Sequence, residues 1–209
     1  MTATDWMNPD FKDLRYSADS QDAAYRGGAY DYIGEIGMTA RMAVIASYLR
    51  QLGARRVLDL GCGPAPLLHE LPEGIGYVGV DVAEAAVAQA QAAYAGRPNT
   101  CFRLGDFRAL APDGPACDAL VWAGIGRTWT RKGKGGDRRD WLDILDRAER
   151  VWLESGALLV LEVVTAHWPV LDELLGDRYN RVVGCDIDHL EYDQLGRRAI
   201  RVLRPSGGG

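Results

Sequence analysis

The chain has 209 residues, of which 47% are apolar, and its formal net charge is −5 at pH 7. This length and composition predict one sizeable hydrophobic core and therefore one domain. The net charge, with a pI near 5.2, argues against nucleic acid or an anionic membrane as the partner, because proteins that bind polyanions carry a basic excess. A small molecule is the favoured partner.

The cysteines are spread singly along the chain, at Cys62, Cys101, Cys117 and Cys185. No C-x-x-C pair suggests a zinc site, and the spacing does not suggest a secreted disulfide framework. The sequence also shows no signal-peptide pattern and no apolar stretch as long as a membrane span. We therefore expect a cytoplasmic protein with reduced thiols, no metal and no membrane association.

Residues 1–34 are polar and aromatic and show no sustained period, which predicts an N-terminal arm or lid. Within it, Tyr25 and Tyr30 either close over a ligand or pack the arm on the domain. From Met38 to Gln51 apolar residues recur at helical spacing, and Gly53 follows as a helix stop. This segment predicts a helix that leads into the core.

Strand and helix patterns alternate along the rest of the chain. The predicted strands are 57–60, 77–80, 100–104, 118–122, 157–164, 181–186 and 199–203, and the predicted helices are 67–71, 84–94, 138–154 and 168–175. We expect residues 35–205 to form a single α/β domain: a Rossmann-like, seven-stranded, mainly parallel sheet with helices on both faces. The closing hairpin adds an antiparallel edge strand, and residues 206–209 form a flexible tail.

A glycine-rich turn follows the first predicted strand, in the sequence VLDLGCGP from Val57 to Pro64. Gly61 and Gly63 let the backbone bend and let a ligand approach it closely. An ordinary strand-to-helix turn would look the same, but Asp81 ends the second strand 20 residues after Gly61. At that distance an acidic side chain can accept hydrogen bonds from ribose hydroxyls.

A third feature follows the third strand, where Gly105, Asp106 and Phe107 stand in sequence. The carboxylate and the aromatic ring would lie in the same crevice as the glycine-rich turn, where they suit an adenine amino group and ring face. The alternative for Asp106 is a helix N-cap.

Together VLDLGCG, YVGVD and the Gly-Asp-Phe step resemble motifs one to three of the class I S-adenosylmethionine-dependent methyltransferases, over residues 38–203. The resemblance implies that S-adenosylmethionine is the cofactor. The residues that it implies for cofactor binding are Asp59, Gly61, Cys62 and Gly63 around the methionine part, Asp81 on the ribose, Val82 and Phe107 near the adenine, Asp106 on its amino group, and Trp122 and Ala123 on the other side.

Two departures from related patterns bear on this interpretation. A dinucleotide-binding dehydrogenase would carry G-x-G-x-x-G, but the position of the third glycine is Pro66, which counts against a nicotinamide enzyme. Ala65 stands where the methyltransferase family often has a further glycine. That exchange of one small residue for another puts little in doubt.

Methyl transfer needs alignment of the reactants and exclusion of water, and a general base is optional. Among the histidines, His167 follows the fifth strand at the predicted rim of the site and ranks first as a base, although a surface loop histidine would look the same. Arg127 opens a basic, glycine-rich segment that ends at Arg139. This segment is either a gate for an anionic substrate group or a solvated loop.

The acceptor is predicted to be a small polar molecule, which could be anionic, methylated on O, N or C, in specialised metabolism. Nucleic-acid methyltransferases often carry Asn/Asp-Pro-Pro-aromatic after strand four, and this chain has Val121-Trp-Ala-Gly124 there. Two alternatives remain open: a non-catalytic scaffold or regulator that binds the cofactor, and a cofactor-assisted cyclase that does not methylate. Product mass separates the cyclase, because only methylation adds a methyl group.

Overall fold

The structure is a computed structural model that describes residues 18–28, 30, 36–124, 138–165, 168–187 and 197–206. The strands are β1 (Arg56–Leu60), β2 (Gly76–Asp81), β3 (Thr100–Leu104), β4 (Cys117–Ala123), β5 (Leu153–Val164), β6 (Tyr179–Ile187) and β7 (Arg198–Pro205). The helices are α1 (Ala18–Arg26), α2 (Ile36–Gln51), α3 (Pro66–Glu70), α4 (Glu84–Ala93), α5 (Arg138–Arg147) and α6 (Trp168–Leu175).

The seven strands form one sheet in the order β3-β2-β1-β4-β5-β7-β6. Strands β1 to β5 pair in parallel, whereas β7 runs antiparallel to both β5 and β6. The prediction of a mainly parallel Rossmann-like sheet with an antiparallel addition at one edge is confirmed. The reversed strand, β7, lies one position in from that edge.

The sheet is buried on both faces, so its strands are apolar at successive positions and not only at alternate ones. In β1, Val57 faces a cluster that includes Ile45 of α2 and Leu68 of α3. The next residue, Leu58, faces the opposite cluster, with Leu145 of α5. Helices therefore cover both faces, as predicted.

One predicted helix boundary is wrong. The helix expected over residues 138–154 is α-helical only to Arg147, continues as a π-helical turn over Ala148–Trp152, and gives way to β5 at Leu153. Leu153 pairs with Cys117 of β4, and the register then shifts across a bulge that contains Gly156 at φ 77°. Pairing with β4 thus outweighs the helical pattern of the local sequence.

The N-terminal segment contains helix α1, which was not predicted because the sequence there shows no sustained hydrophobic period. Helix α1 has no fully buried residue. Asp22 and Arg26, one turn apart, form an ion pair at 2.6 Å, and Asp22 also contacts α4. Contact with the domain therefore supports this helix more than its own apolar pattern does. Across the described ranges, no helix combines the length and apolar character needed to cross a bilayer.

Candidate active site

The motif residues meet at the carboxyl edge of the parallel strands. Because Asp59 of β1 pairs with Gly79 of β2 and with Val121 of β4, the segments that follow these three strands leave the sheet side by side. The segment after β3 joins them, since Asp81 pairs with Leu104. Ligands of open α/β sheets bind in this position.

Left-handed backbone shapes the glycine-rich turn. Gly61 has φ 69° and Gly63 has φ 54°, values that an L side chain adopts only with strain. The N–H groups of Gly61 and Cys62 both donate to the carbonyl of Val80, at 2.8 and 3.1 Å, which anchors the turn on β2. A Cβ added to Gly61 would meet no atom within 4 Å. The backbone there is open to a ligand.

Ala65 also lies in the left-handed region, at φ 61°, and it is fully buried. A glycine would adopt this conformation without strain, so the geometry explains why a glycine suits this position of the motif. The chain keeps an alanine there and accepts a strained residue directly before α3.

Asp81 joins the end of β2 to the glycine-rich turn. One carboxylate oxygen accepts the N–H of Gly63 at 2.8 Å and the other accepts the N–H of Ala83 at 2.9 Å. Burial raises the pKa of this carboxyl group above its ordinary value, and the backbone N–H groups of Ala83, Gly63 and Val82 oppose the shift. Each oxygen can accept a further bond, which two ribose hydroxyls would supply. Val82, the next residue, is half-buried at the same edge.

Asp59 lies deeper, beneath the turn. It is 5% exposed and accepts a hydrogen bond from the hydroxyl of Tyr77 at 2.6 Å. Burial raises the pKa of Asp59 to about 7, with the Tyr77 bond opposing and the charge of Asp81 adding to the rise. Sequence reasoning missed Tyr77, because a tyrosine at the start of an apolar strand is typical of a core residue.

The thiol of Cys62 is buried within the turn. Burial raises the pKa of this thiol well above its ordinary value, and the charges of Asp59 and Asp81 add to the rise. A buried thiol that stays protonated is a poor nucleophile. The buried position and the raised pKa therefore argue against Cys62 as a nucleophile.

The Gly-Asp-Phe step differs from the arrangement that suits adenine. Asp106 binds the side chain of Arg108 at 2.6 Å and accepts the backbone N–H of Arg108 at 2.9 Å. Residues 107–109 form a turn and no helix begins here, so Asp106 is not the helix N-cap that the alternative predicted. Phe107 is 8% exposed, and its ring lies 5.4 Å from that of Trp152 in the core. Little ring surface is left for a ligand, so contact of either side chain with adenine stays a prediction.

The end of β4 closes the crevice opposite the glycine-rich turn. Trp122 and Ala123 are half-buried there, and Gly124 follows in the left-handed conformation at φ 76°. The N–H of Gly124 donates to Glu162 of β5 at 2.7 Å. Glu162 was missed from the sequence, although a lone carboxylate within the apolar run of β5 is a signal that could have found it.

Helix α1 covers one side of the crevice. The hydroxyl of Tyr25 lies against Gly63, where an added Cβ would come within 2.5 Å of it. Tyr25 and Tyr30 stack with ring centroids 4.3 Å apart, and Tyr30 donates to Gln21. The carboxylate of Asp22 accepts the N–H of Ala85 at 2.6 Å, so α1 caps the start of α4.

Two predicted residues, His167 and Arg127, lie outside the described residues, as does His189. His69 is exposed on α3. In the part of the chain that the structure describes, no group of three or more His, Cys, Asp or Glu side chains is arranged to hold a metal ion. A cavity of about 380 Å³ opens at the other, amino edge of the sheet, between Leu145, Gly156 and Tyr179, and none of the motif residues lines it.

Comparison with known protein families finds one match, which covers part of the chain. Residues 57–133 match the model of a family described as a methyltransferase domain. No curated protein sequence matches the chain. The matched segment begins at the second residue of β1, extends beyond the end of β4 and contains all three motifs.

Several solved structures resemble most of the chain. The N-methyltransferase NodS from Bradyrhizobium japonicum, in complex with S-adenosyl-L-homocysteine, superposes with a TM-score of 0.68 at 13% identity, over 95% of this chain and 99% of NodS. Magnesium protoporphyrin IX methyltransferase (ChlM) from Synechocystis, with S-adenosylmethionine bound, superposes with a TM-score of 0.68 at 14% identity, over 90% and 97% of the two chains. A structure described for the conversion of a disulfide bond into a thioacetal group during echinomycin biosynthesis gives 0.61 at 16% identity, over 92% and 94%.

These likenesses establish the fold, which is that of the class I methyltransferases, and the family match places a methyltransferase domain within it. Both findings agree with the resemblance to the class I S-adenosylmethionine-dependent methyltransferases that the three short motifs predict. S-adenosylmethionine is the cofactor of this class, and it or its product is bound in the ChlM and NodS structures.

Proposed function

We propose that the protein transfers a methyl group from S-adenosylmethionine to an O, N or C atom of a small polar molecule, in the crevice between the glycine-rich turn and the end of β4. The observation that carries the proposal is the pair of hydrogen bonds that Asp81 accepts from the N–H groups of Gly63 and Ala83. They tie an acidic side chain to the turn that exposes Gly61, and each carboxylate oxygen still has acceptor capacity.

The residues present fit the cofactor. Gly61 is exposed and borders open space, so a ligand can lie against its backbone. Asp81 is positioned for the two ribose hydroxyls, and burial strengthens its hydrogen bonds relative to those in water. When bound, S-adenosylmethionine supplies a methyl group that its sulfonium sulfur already activates.

The chain's own residues align and shield the reactants. Asp81 and the turn at Gly61 fix one end of the ligand, and the end of β4 limits it on the other side. Helix α1, capped onto α4 through Asp22, places Tyr25 over the turn and reduces access of water. Exclusion of water is a principal contribution that the protein can make to a displacement whose leaving group is already activated.

The acceptor is proposed from the sequence. The basic segment from Arg127 to Arg139 begins four residues after the end of β4 and favours a carboxylate or phosphate on the acceptor. His167, two residues beyond Thr165, is the candidate base for a hydroxyl or ammonium nucleophile. NodS and ChlM are named for methyl transfer, ChlM to a porphyrin, and the third similar structure belongs to echinomycin biosynthesis. These names support a small acceptor in specialised metabolism.

Calorimetric titration with S-adenosylmethionine and S-adenosylhomocysteine tests the cofactor site. We expect a dissociation constant of about 1 μM, or about −8 kcal/mol, and a loss of at least about tenfold in Asp81→Asn, because the amide adds a donor where two N–H groups already point. Asp118→Asn is the matched control. Asp118 also accepts two backbone N–H groups, those of Arg55 and Arg56, but at the opposite edge of the sheet.

Binding within twofold of wild type in Asp118→Asn and a large loss in Asp81→Asn support the site. Equal losses in both variants, or no heat with either ligand for the wild-type protein, would overturn it. Mass spectrometry of candidate acceptors incubated with the protein then tests the reaction, since a methylated product gains the mass of a methyl group and a cyclised one does not.

A further inference from the structure

A carboxylate is buried near the carboxyl end of β5, within a run of apolar residues. Glu162 is 0% exposed and lies on the face of the sheet that α2 covers. Its neighbours Leu161 and Val163 are 1% exposed and point to the other face, into the apolar cluster around α5 and α6. A charge in this position must be compensated by specific partners.

The partners of Glu162 come from three separate elements. Its Oε1 accepts from Arg41 of α2 at 2.7 Å and lies 3.5 Å from Arg198 of β7. Its Oε2 accepts the N–H of Gly124, directly after β4, at 2.7 Å. Burial alone would raise the pKa of Glu162, but the charges of Arg41 and Arg198 outweigh it and hold the pKa below its ordinary value.

The ion cluster of Glu162, Arg41 and Arg198 contributes little net stability, because burying charged groups costs free energy. Arg41 is 2% exposed and Arg198 is 5% exposed, so three charged groups lose their hydration. Replacing such buried ions by apolar residues of similar volume is often neutral or stabilising. The contact that apolar residues could not reproduce is the bond from the Gly124 N–H to a charged acceptor.

Gly124 stands where that bond has consequences for the ligand. Asp59 pairs with Val121, so the residues after β1 and those after β4 leave the sheet as neighbours. One group forms the glycine-rich turn and the other forms the opposite wall of the crevice. At φ 76° Gly124 turns the chain out of the sheet, and a glycine has no side chain with which to fix that turn.

We propose that Glu162 is a positioning residue, which with Arg41 fixes the Gly124 turn and thereby the wall of the cofactor crevice opposite Gly61. The inference rests on the proposed cofactor site, and it assigns the geometry of that site to residues outside the three motifs. Loss of the Glu162 charge therefore alters ligand binding without removing any residue that touches the ligand.

The first test reads the Gly124 amide directly. The sequence contains two Ala-Gly steps, Ala95-Gly96 and Ala123-Gly124. Labelling alanine carbonyls with ¹³C and glycine amides with ¹⁵N selects these two amides in a carbonyl-filtered NMR spectrum. A hydrogen bond to a carboxylate moves the Gly124 proton downfield, and Gly96 serves as the internal reference.

In Glu162→Gln the side-chain amide turns a donor towards one of three groups that are themselves donors. We expect the Gly124 proton to move upfield, the Gly96 signal to stay, and the affinity for S-adenosylhomocysteine to fall by about tenfold. Val163→Ala is the matched control on the same strand, since it removes buried atoms from the opposite face without touching the ion cluster. It should leave both signals and, within twofold, the affinity unchanged.

Arg41→Lys is a second variant, which keeps the charge and disturbs folding less. It should move the Gly124 signal in the same direction by a smaller amount and weaken binding by about threefold. An unmoved Gly124 signal in both variants, or a loss of affinity no larger than that of Val163→Ala, would overturn the inference. If the wild-type protein bound no cofactor, the proposed function would fail instead, and the apo spectra would still decide whether Glu162 fixes the turn.

Discussion

Replacement of Asp59 by asparagine should change how the stability of the protein depends on pH. Burial raises the pKa of Asp59 from 3.8 to about 7 in the folded protein, whereas in the unfolded chain it keeps its ordinary value. Between these two values the folded protein holds a proton that the unfolded chain has released. The free energy of unfolding therefore falls as the pH rises through this window.

The size of the effect follows from the shift. At about 1.4 kcal/mol per pKa unit, a shift of roughly three units lowers the free energy of unfolding above pH 7 by an amount on the order of 4 kcal/mol. About 3 kcal/mol of this loss falls between about pH 5 and pH 8. The amide of the Asp59→Asn variant would not titrate, and its carbonyl can still accept the Tyr77 hydroxyl. The variant should therefore lose less stability than the wild-type protein over that interval.

Urea unfolding, followed by circular dichroism at about pH 5 and about pH 8, measures this loss of stability in each protein. In Tyr77→Phe the bond that lowers the pKa of Asp59 is gone, so the loss of stability should extend to higher pH than in the wild-type protein. Parallel losses of stability in the wild-type and Asp59→Asn proteins would refute the reasoning, because they would show that Asp59 does not titrate in this range.

Three further predictions concern other residues of the site. Gly63→Ala should weaken binding of S-adenosylhomocysteine and destabilise the protein by about 1–2 kcal/mol through left-handed strain. In a double-mutant cycle Tyr25→Phe should reduce the combined loss of stability, because it removes the hydroxyl that would lie 2.5 Å from the new Cβ. Strictly additive losses of stability would contradict the contact. Phe107→Leu should lower stability by about 1 kcal/mol in urea unfolding but leave ligand affinity within twofold in calorimetry, whereas a large loss of affinity would place the ring at the adenine after all. In native protein at mildly alkaline pH, an alkylating reagent followed by peptide mapping should modify the half-buried Cys101 and Cys185 before the buried Cys62 and Cys117, and early labelling of Cys62 would contradict a sealed turn.

The sheet could be predicted from the sequence because β1, β2 and β4 are largely apolar on both faces and end at an acidic residue or directly before a glycine. Val57 and Leu58, which face opposite clusters, show why such a run cannot be a strand exposed on one face. The crevice was located by the same logic, since Gly61 and Asp81 end neighbouring strands. These features are local in sequence, and a single sequence is enough to predict local features.

The errors and omissions come from contacts that are distant in sequence. Residues Ala148–Leu153 continue a helical pattern, but pairing of Leu153 with β4 ends the helix early. Helix α1 depends on the hydrogen bond that Asp22 accepts from the N–H of Ala85, 63 positions away. Arg41 and Glu162 are 121 positions apart, and each alone is only a charged residue within an apolar segment. The side-chain directions of Asp106 and Phe107 likewise depended on Arg108 and on Trp152.

The position of β7 has a consequence for folding of the chain during its synthesis. Strand β6 contacts the sheet through β7 alone in the observed strand order, yet β6 precedes β7 in the sequence. On the ribosome, β6 therefore emerges without a partner and must wait, with its backbone groups unpaired, until β7 has been synthesised and has docked on β5. Strand β7 completes the sheet from within, so cooperative folding of this edge can only follow the emergence of β7 from the exit tunnel.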